Sequence, residues 1–182
     1  VFSAGTTSKL VVGRNDTLPT ASGLNLQMSA TLDLNGFDQT LTVFNTVADS
    51  GATNDGASAS TLTFGSGTVN GVISDGSSTL AITKQGSGQS VFTGANTYTG
   101  ATIVNAGTLR IDGDQSASTG DVTVNGGTLG GIGTIGGNTT IQNGASVGAN
   151  MTSDSSFLST DNLAFSGDLT VGDGTGSATW IL

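Results

Sequence analysis

The sequence predicts an all-β solenoid, in which roughly nine short coils stack into one column. Three observations carry that expectation. The residue mix favours strands and turns, many short segments alternate apolar and polar residues, and one six-residue pattern returns after a single short period.

All 13 acidic residues are Asp, while Glu, His and Cys are absent. Asp bonds readily to nearby backbone and favours turns, whereas Glu suits helix interiors. With 30 Gly and 9% charged residues, the long straight side chains that clothe helices are nearly missing, and Thr, Val, Ser and Asn prevail. The hydrophobic 35% is regularly spaced, which argues against disorder. No linker composition interrupts the chain, so residues 1–182 read as one solenoid domain. It begins Val1-Phe2 without Met, as expected of a processed or excised piece.

Period-two alternation marks strands at 24–28, 31–34, 40–44, 61–64, 69–73, 79–83 and 90–93. It continues at 102–104, 108–111, 122–124, 133–135, 139–141, 163–165 and 169–171. Residues 49–60 and 149–161 break the pattern and read as loops. The inward set is expected to comprise Leu32, Leu34, Leu41, Val43, Leu62, Phe64, Leu80, Ile82 and Val104. It continues with Leu109, Ile111, Val122, Val124, Leu129, Ile132, Ile135 and Ile141.

Between the strands stand Asn35-Gly36, Asn70-Gly71, Asn125-Gly126 and Asn143-Gly144, pairs that tolerate the positive φ of sharp turns. Asn-Gly is also a hairpin signal, so an antiparallel sandwich competes with the solenoid. Repetition favours the solenoid. Val104-Asn105-Ala106-Gly107-Thr108-Leu109 returns 20 residues later as Val124-Asn125-Gly126-Gly127-Thr128-Leu129. A weaker echo aligns 141–147 with 26–32. Like segments one period apart are expected to stack, burying together what one coil cannot bury alone.

One stretch carries a family resemblance. It runs Ile82-Thr83-Lys84-Gln85-Gly86-Ser87-Gly88, then Phe92-Thr93-Gly94-Ala95-Asn96-Thr97-Tyr98-Thr99-Gly100, then Val104 to Leu109. Thr128-Leu129-Gly130-Gly131-Ile132-Gly133-Thr134-Ile135-Gly136-Gly137 follows, and residues 32–41 resemble related material. Strongest over 80–150, this order resembles the passenger-associated repeats of bacterial autotransporters and autotransporter-associated β-strand proteins. The resemblance implies a right-handed parallel β-helix, exported by a bacterium and displayed at or released from its surface. Such passengers include adhesins, scaffolds and carriers, so it implies no single activity.

The chemistry-bearing residues point away from catalysis. Carboxylate pairs for glycoside hydrolysis stand roughly 5–10 Å apart across a groove. Candidates are Asp112, Asp114 and Asp121, with Arg110 beside them, and Asp161, Asp168 and Asp173. Their neighbours, as in Asp112-Gly113-Asp114 and Asp173-Gly174, mark them as turn residues instead. Without His, Glu or Cys, most general bases and nucleophiles are missing, so no catalytic residue and no cofactor is expected. No metal site is expected either, since neither an Asp-x-Asp-x-Asp-Gly loop nor a Gly-Gly-x-Gly-x-Asp repeat occurs. Gly86-Ser87-Gly88 and Gly131-Ile132-Gly133 read as corners rather than phosphate cradles. Tyr98 reads as a packing residue rather than a sugar platform.

Net charge is −9, and Lys9, Arg14, Lys84 and Arg110 are the only cations, which excludes a nucleic-acid footprint. No apolar run spans a membrane as a helix. Two function classes remain: a non-enzymatic extracellular rod, fibre or coat, and an adhesin-type module for a glycan or host protein. The partners expected are copies of the chain or flanking repeats, with a surface glycan under the second reading. Val1, Phe2, Trp180, Ile181 and Leu182 are apolar and strand-like, and are the expected assembly ends.

Overall fold

The computed structural model describes residues 8–149, 162–172 and 179–181. Strands and turns account for them, and no helix occurs among the described residues. None therefore is long and apolar enough to cross a membrane, which says nothing of strands in a barrel.

The strands are short because a turn residue arrives every few positions. The first are β1 (Lys9–Val11), β2 (Gly23–Leu26), β3 (Thr31–Asp33), β4 (Gln39–Thr46) and β5 (Gly51–Asn54). Next come β6 (Ser60–Val69), β7 (Ile73–Gly76), β8 (Leu80–Lys84), β9 (Gln89–Phe92), β10 (Thr102–Val104) and β11 (Thr108–Ile111). They are followed by β12 (Asp114–Gln115), β13 (Val122–Val124), β14 (Thr128–Gly131), β15 (Thr134–Ile135) and β16 (Thr139–Ile141). The last are β17 (Ser146–Ala149), β18 (Ala164–Phe165), β19 (Leu169–Val171) and β20 (Thr179–Ile181).

Every pairing among these strands is parallel, which removes the antiparallel sandwich. The Asn-Gly pairs serve as corners between successive faces of one coil, not as hairpins; Asn35 and Gly36, for instance, have φ of 49° and 85°. One face stacks the first half of β4, the first half of β6, then β8, β10, β13, β16 and β19. A second stacks β2, the second halves of β4 and β6, then β9, β11, β14, β17 and β20. The third face is two separate sheets, β1-β3-β5-β7 and β12-β15-β18. The described residues make about 7 turns, consistent with the roughly nine coils expected of the whole chain.

The repeat lies in register. Val104 pairs with Val124, Thr108 with Thr128 and Leu109 with Leu129. The weaker echo does not: Ile141 stands on the first face, whereas Leu26, its counterpart in the alignment, stands on the second. Buried columns run up the inside, such as Leu41, Phe64, Lys84, Val104, Val124 and Ile141. Phe64 bridges two columns, its ring centroid 5.8 Å from Phe44 and 6.0 Å from Phe92. At roughly 25 cal/mol per Å² of apolar surface, these full-height columns are the main driving force for stacking.

Two expected core residues are not inside. Val43 is half-buried, because β4 bends from one face to the next and buries Leu41 and Phe44, breaking the period-two count between them. Ile132 is 41% exposed, because Gly131 at φ 133° turns the chain out of β14 before it. Gly67 makes the matching bend in β6: its φ is 140°, and a Cβ there would stand 1.9 Å from the Phe44 carbonyl oxygen. The strand expected at 69–73 is also split. β6 ends at Val69 and β7 begins at Ile73, with a corner between. The loop expected at 49–60 contains β5, where Ala52 and Asn54 are buried. Of the loop expected at 149–161, Ala149 closes β17 and the remainder lies outside the described residues.

Candidate functional site

Four aspartates, Asp16, Asp33, Asp38 and Asp75, join coils. Asp16 Oδ1 accepts the Thr40 N–H at 2.8 Å, and Asp38 Oδ1 accepts that of Thr61 at 2.7 Å. Asp33 Oδ1 accepts from Asn35 in its own turn and from Asp55 one coil on, both at 2.9 Å. Asp75 Oδ1 accepts from Leu80 at 2.9 Å and Thr99 at 3.0 Å, and its Oδ2 accepts the Thr99 hydroxyl at 2.6 Å. Bonds 22 to 24 residues long in sequence are one coil long in space. At a corner or in the first residues of a strand, an N–H that faces the coil below can lack a ladder carbonyl, and a short carboxylate of that coil meets it.

The environment of these carboxylates reflects that use. Burial disfavours the Asp33 charge, but the Lys9 ammonium and the two N–H donors outweigh it and hold the carboxyl below its usual range. Asp75 is held low in the same way, burial being overcome by Thr99 and Leu80. Lys9 Nζ lies 2.8 Å from Asp33 and also pairs with Asp55, which ties β1 to both following coils. Amides make parallel braces: Asn45 donates to Asn25 at 2.6 Å, and Asn125 to Asn105 at 2.9 Å.

The residues weighed for hydrolysis are distributed round the coil. Asp112 Oδ1 accepts from Arg110 Nε at 2.7 Å. Asp114 accepts the Ser116 N–H at 2.9 Å, which holds its carboxyl below the usual range. Asp121 Oδ1 accepts from Asn138 Nδ2 at 3.3 Å, at the next corner after that of Asp112. Asp168 contributes its backbone N–H to Asn138 Oδ1 at 3.1 Å. Asp161 and Asp173 lie outside the described residues, as do Val1, Phe2 and Leu182. Trp180 and Ile181 fall in β20, whose backbone pairs Trp180 with Val147 and Ile181 with Gly148. Among the described residues, no group of three or more acidic side chains is placed to hold a metal ion.

Sequence reasoning did not anticipate Lys84. Its side chain is fully buried, with the stem in the column between Phe64 and Val104. The ammonium donates to the carbonyls of Gln85 at 2.9 Å, Gly86 at 3.0 Å and Ala106 at 3.1 Å. Three donors meet three acceptors at one corner of two successive coils. Burial pushes the ammonium below the usual lysine range. Gly107, at φ 69°, is required beside it, since a Cβ there would come within 2.8 Å of Nζ.

Beyond Lys84 the chain crosses the break in the third face. Asn96 Oδ1 accepts the Ile73 N–H at 2.7 Å and the Thr97 N–H donates to Ile73 O at 2.9 Å, so one side chain and one amide replace a strand pair. Tyr98 turns inward, 3% exposed, and its hydroxyl lies 2.8 Å from Thr102 Oγ1. Burial pushes the phenol up to about 12. It is a packing residue, as its sequence context suggests.

Residues 82–111 match the passenger-associated-transport-repeat. The resemblance seen in the motifs is borne out there. Over 96 residues the chain is 46% identical to a Brucella suis biovar 1 (strain 1330) protein named "Adhesin BmaC autotransporter". The match covers 48% of this chain and 3% of that protein, so the chain spans a small part of its relative. No solved structure matches. The passenger-associated repeat thus coincides with the coil that carries Lys84, the Asn96-Thr97 substitute pair and Tyr98.

Two clefts lie against β1-β3-β5-β7. An open cleft of about 210 Å³ is lined by Thr31, Asp49, Ser50, Thr53, Val72 and Ser74 among others. A second, of about 330 Å³, shares Thr31 and Thr53 and adds Ser8, Lys9, Ser29 and Asp55. The two clefts adjoin at Thr31 and Thr53 and together make the groove along β1-β3-β5-β7, and Val72, 43% exposed, supplies an apolar rim.

Proposed function

We propose that this chain is a non-enzymatic structural segment of an extracellular bacterial β-solenoid, serving as rod, fibre or coat. One observation carries the reading: most of the described charged side chains that form hydrogen bonds hold one coil to another, while Arg110, Asp112 and Asp114 bond locally. Asp16, Asp33, Asp38, Asp75 and Lys84 each bond to backbone of another coil, and among the described residues no group of three or more acidic side chains converges. The passenger-associated repeat and the adhesin-named relative support export to the bacterial surface.

The rod grows by the rule that builds it. A parallel coil presents on its open edge the same donors and acceptors it used on its paired edge. Among the described residues, β18, β19 and β20 each pair on one edge only. Another copy of the chain, or a flanking repeat, continues the ladder there, with Trp180 and Ile181 at the junction and Val1 and Phe2 at the opposite end. Light scattering over a dilution series tests this. Mass rising with concentration is the expected result, and a monomer at every concentration contradicts self-association.

The groove along β1-β3-β5-β7 favours a second reading, an adhesin-type module. Its hydroxyls and carboxylates are suited to accept and donate hydrogen bonds to a glycan, and Val72 offers an apolar edge. Titration with a glycan panel supports that reading only if Thr53→Arg, which obstructs both clefts, abolishes the response.

A further inference from the structure

Beside the passenger-associated repeat, one core position changes from a large side chain to a small one between successive coils. Tyr98 and Ser118 stand 20 residues apart, and Thr102 pairs with Val122, four residues beyond each. Ser118 therefore takes the place of Tyr98 one coil on, and a hydroxymethyl group replaces a phenol. A small, largely buried cavity lies at this position, lined by Tyr98, Thr102, Leu109, Gln115, Ser118 and Ile135 among others. Its volume, counted as the space open to the centre of a water molecule, is about 20 Å³. One water needs roughly 10–15 Å³ on that measure, together with two to four polar partners.

The partners are present. Gln115 and Ser118 face each other across a tight turn, closed by the Ser118 N–H to Gln115 O bond at 2.9 Å. Gln115 Nε2 donates to Gly94 O at 2.6 Å, and only an amide nitrogen can donate to a carbonyl, so the orientation of the side chain is fixed. Its Oε1 consequently points elsewhere, and neither it nor Ser118 Oγ has a hydrogen-bond partner in the protein. Both residues are more than nine-tenths buried, at 3% and 6% exposure. Unpartnered polar atoms at such depth are costly, and a serine and a glutamine at one turn are a poor choice for a dry core.

We propose that this cavity is a binding site for a single structural water molecule. The water donates to Gln115 Oε1, bonds with Ser118 Oγ, and takes its third partner from the Tyr98–Thr102 hydroxyl pair, in which one oxygen keeps a free lone pair. It takes over the part that the Tyr98 hydroxyl plays in the coil below, and links the repeat to the next coil through polar contacts where side-chain volume is missing. The inference does not rest on the proposed function.

The test is a high-resolution crystal structure of the chain and of Ser118→Val, with water-to-amide cross-relaxation measured by NMR in solution. The expected result is one discrete density within hydrogen-bond reach of Gln115 Oε1 and Ser118 Oγ. A negative cross-relaxation peak from a long-lived water to the Ser118 amide should accompany it. Both should vanish in Ser118→Val, whose methyl groups fill the space. If that variant does not fold, the two wild-type measurements decide alone. A cavity without density, an absent cross-peak in the wild type, or the same water retained in the Ser118→Val variant overturns the proposal.

Discussion

Leu129→Ala is the sharpest test of the stacked core. Leu129 is fully buried and pairs with Leu109 below and Val147 above, both within 2% of complete burial. Truncation removes three carbons, a transfer loss of about 2.4 kcal/mol at about 0.8 kcal/mol per methylene. A cavity term adds to it, because the neighbouring rungs are held at a fixed spacing of about 4.8 Å by parallel ladders and cannot close the gap. The sum is about 3–4 kcal/mol, in the middle of the usual range for buried leucines. Ile132, three residues later and equally apolar in sequence, is 41% exposed, and Ile132→Ala should cost under about 1 kcal/mol. Urea unfolding followed by far-ultraviolet circular dichroism measures both, with the slope against denaturant checked for constancy. Equal losses for the two variants, or a loss below about 1 kcal/mol for Leu129→Ala, refute the assigned register.

Lys84→Met keeps the stem and leaves three carbonyls without their donor. The lost charge-assisted bonds outweigh the regained desolvation, and a net loss on the order of 2 kcal/mol is expected by urea unfolding. Lys9→Met removes a partly exposed ammonium from the buried Asp33 carboxylate, which keeps two N–H donors. It should cost about 1 kcal/mol, less than Lys84→Met, in the same assay. Acid should loosen the column. Asp33 and Asp75 have folded-state pKa values below their unfolded ones, so their contribution is present above about pH 4 and is lost as pH falls through the lowered values. Melting temperature should accordingly be flat from neutrality to about pH 4.5 and fall below it, and the fall should be shallower in Asp75→Asn. Asp112→Asn combined with Asp114→Asn should leave melting temperature nearly unchanged in both EDTA and millimolar calcium. A calcium-dependent rise in the parent, lost in the double variant, would establish a metal site and contradict the structural reading.

The column was legible where the sequence repeats itself. Val104–Leu109 and Val124–Leu129 stack as their spacing indicates, and Leu109 over Leu129 follows from counting alone. The corners were harder to read. Period two holds only while a strand stays on one face, so β4 and β6, which each run across two faces, hid Phe44 and misplaced Val43. Short glycine-rich coils also concealed β5, since four residues give too little alternation to register. Lys84 was counted as a scattered cation, because a lysine inside a column is unusual unless backbone carbonyls converge on it, and that convergence is a property of two coils together. The aspartate braces did leave a trace: Asp16 and Asp38, and Asp33 and Asp55, are each 22 residues apart, close to one coil. Spacing of turn residues, read alongside spacing of apolar ones, would have found them.

Cryo-electron microscopy of the purified chain at high concentration tests the central claim most directly. A structural segment that extends by parallel stacking should form filaments in which the rung spacing of about 4.8 Å continues across each junction between chains. Trp180 and Ile181 should lie at that junction against the first coil of the next copy. Dispersed particles of single-chain length at every concentration, or contacts made only through the groove along β1-β3-β5-β7, would contradict it and favour the recognition reading.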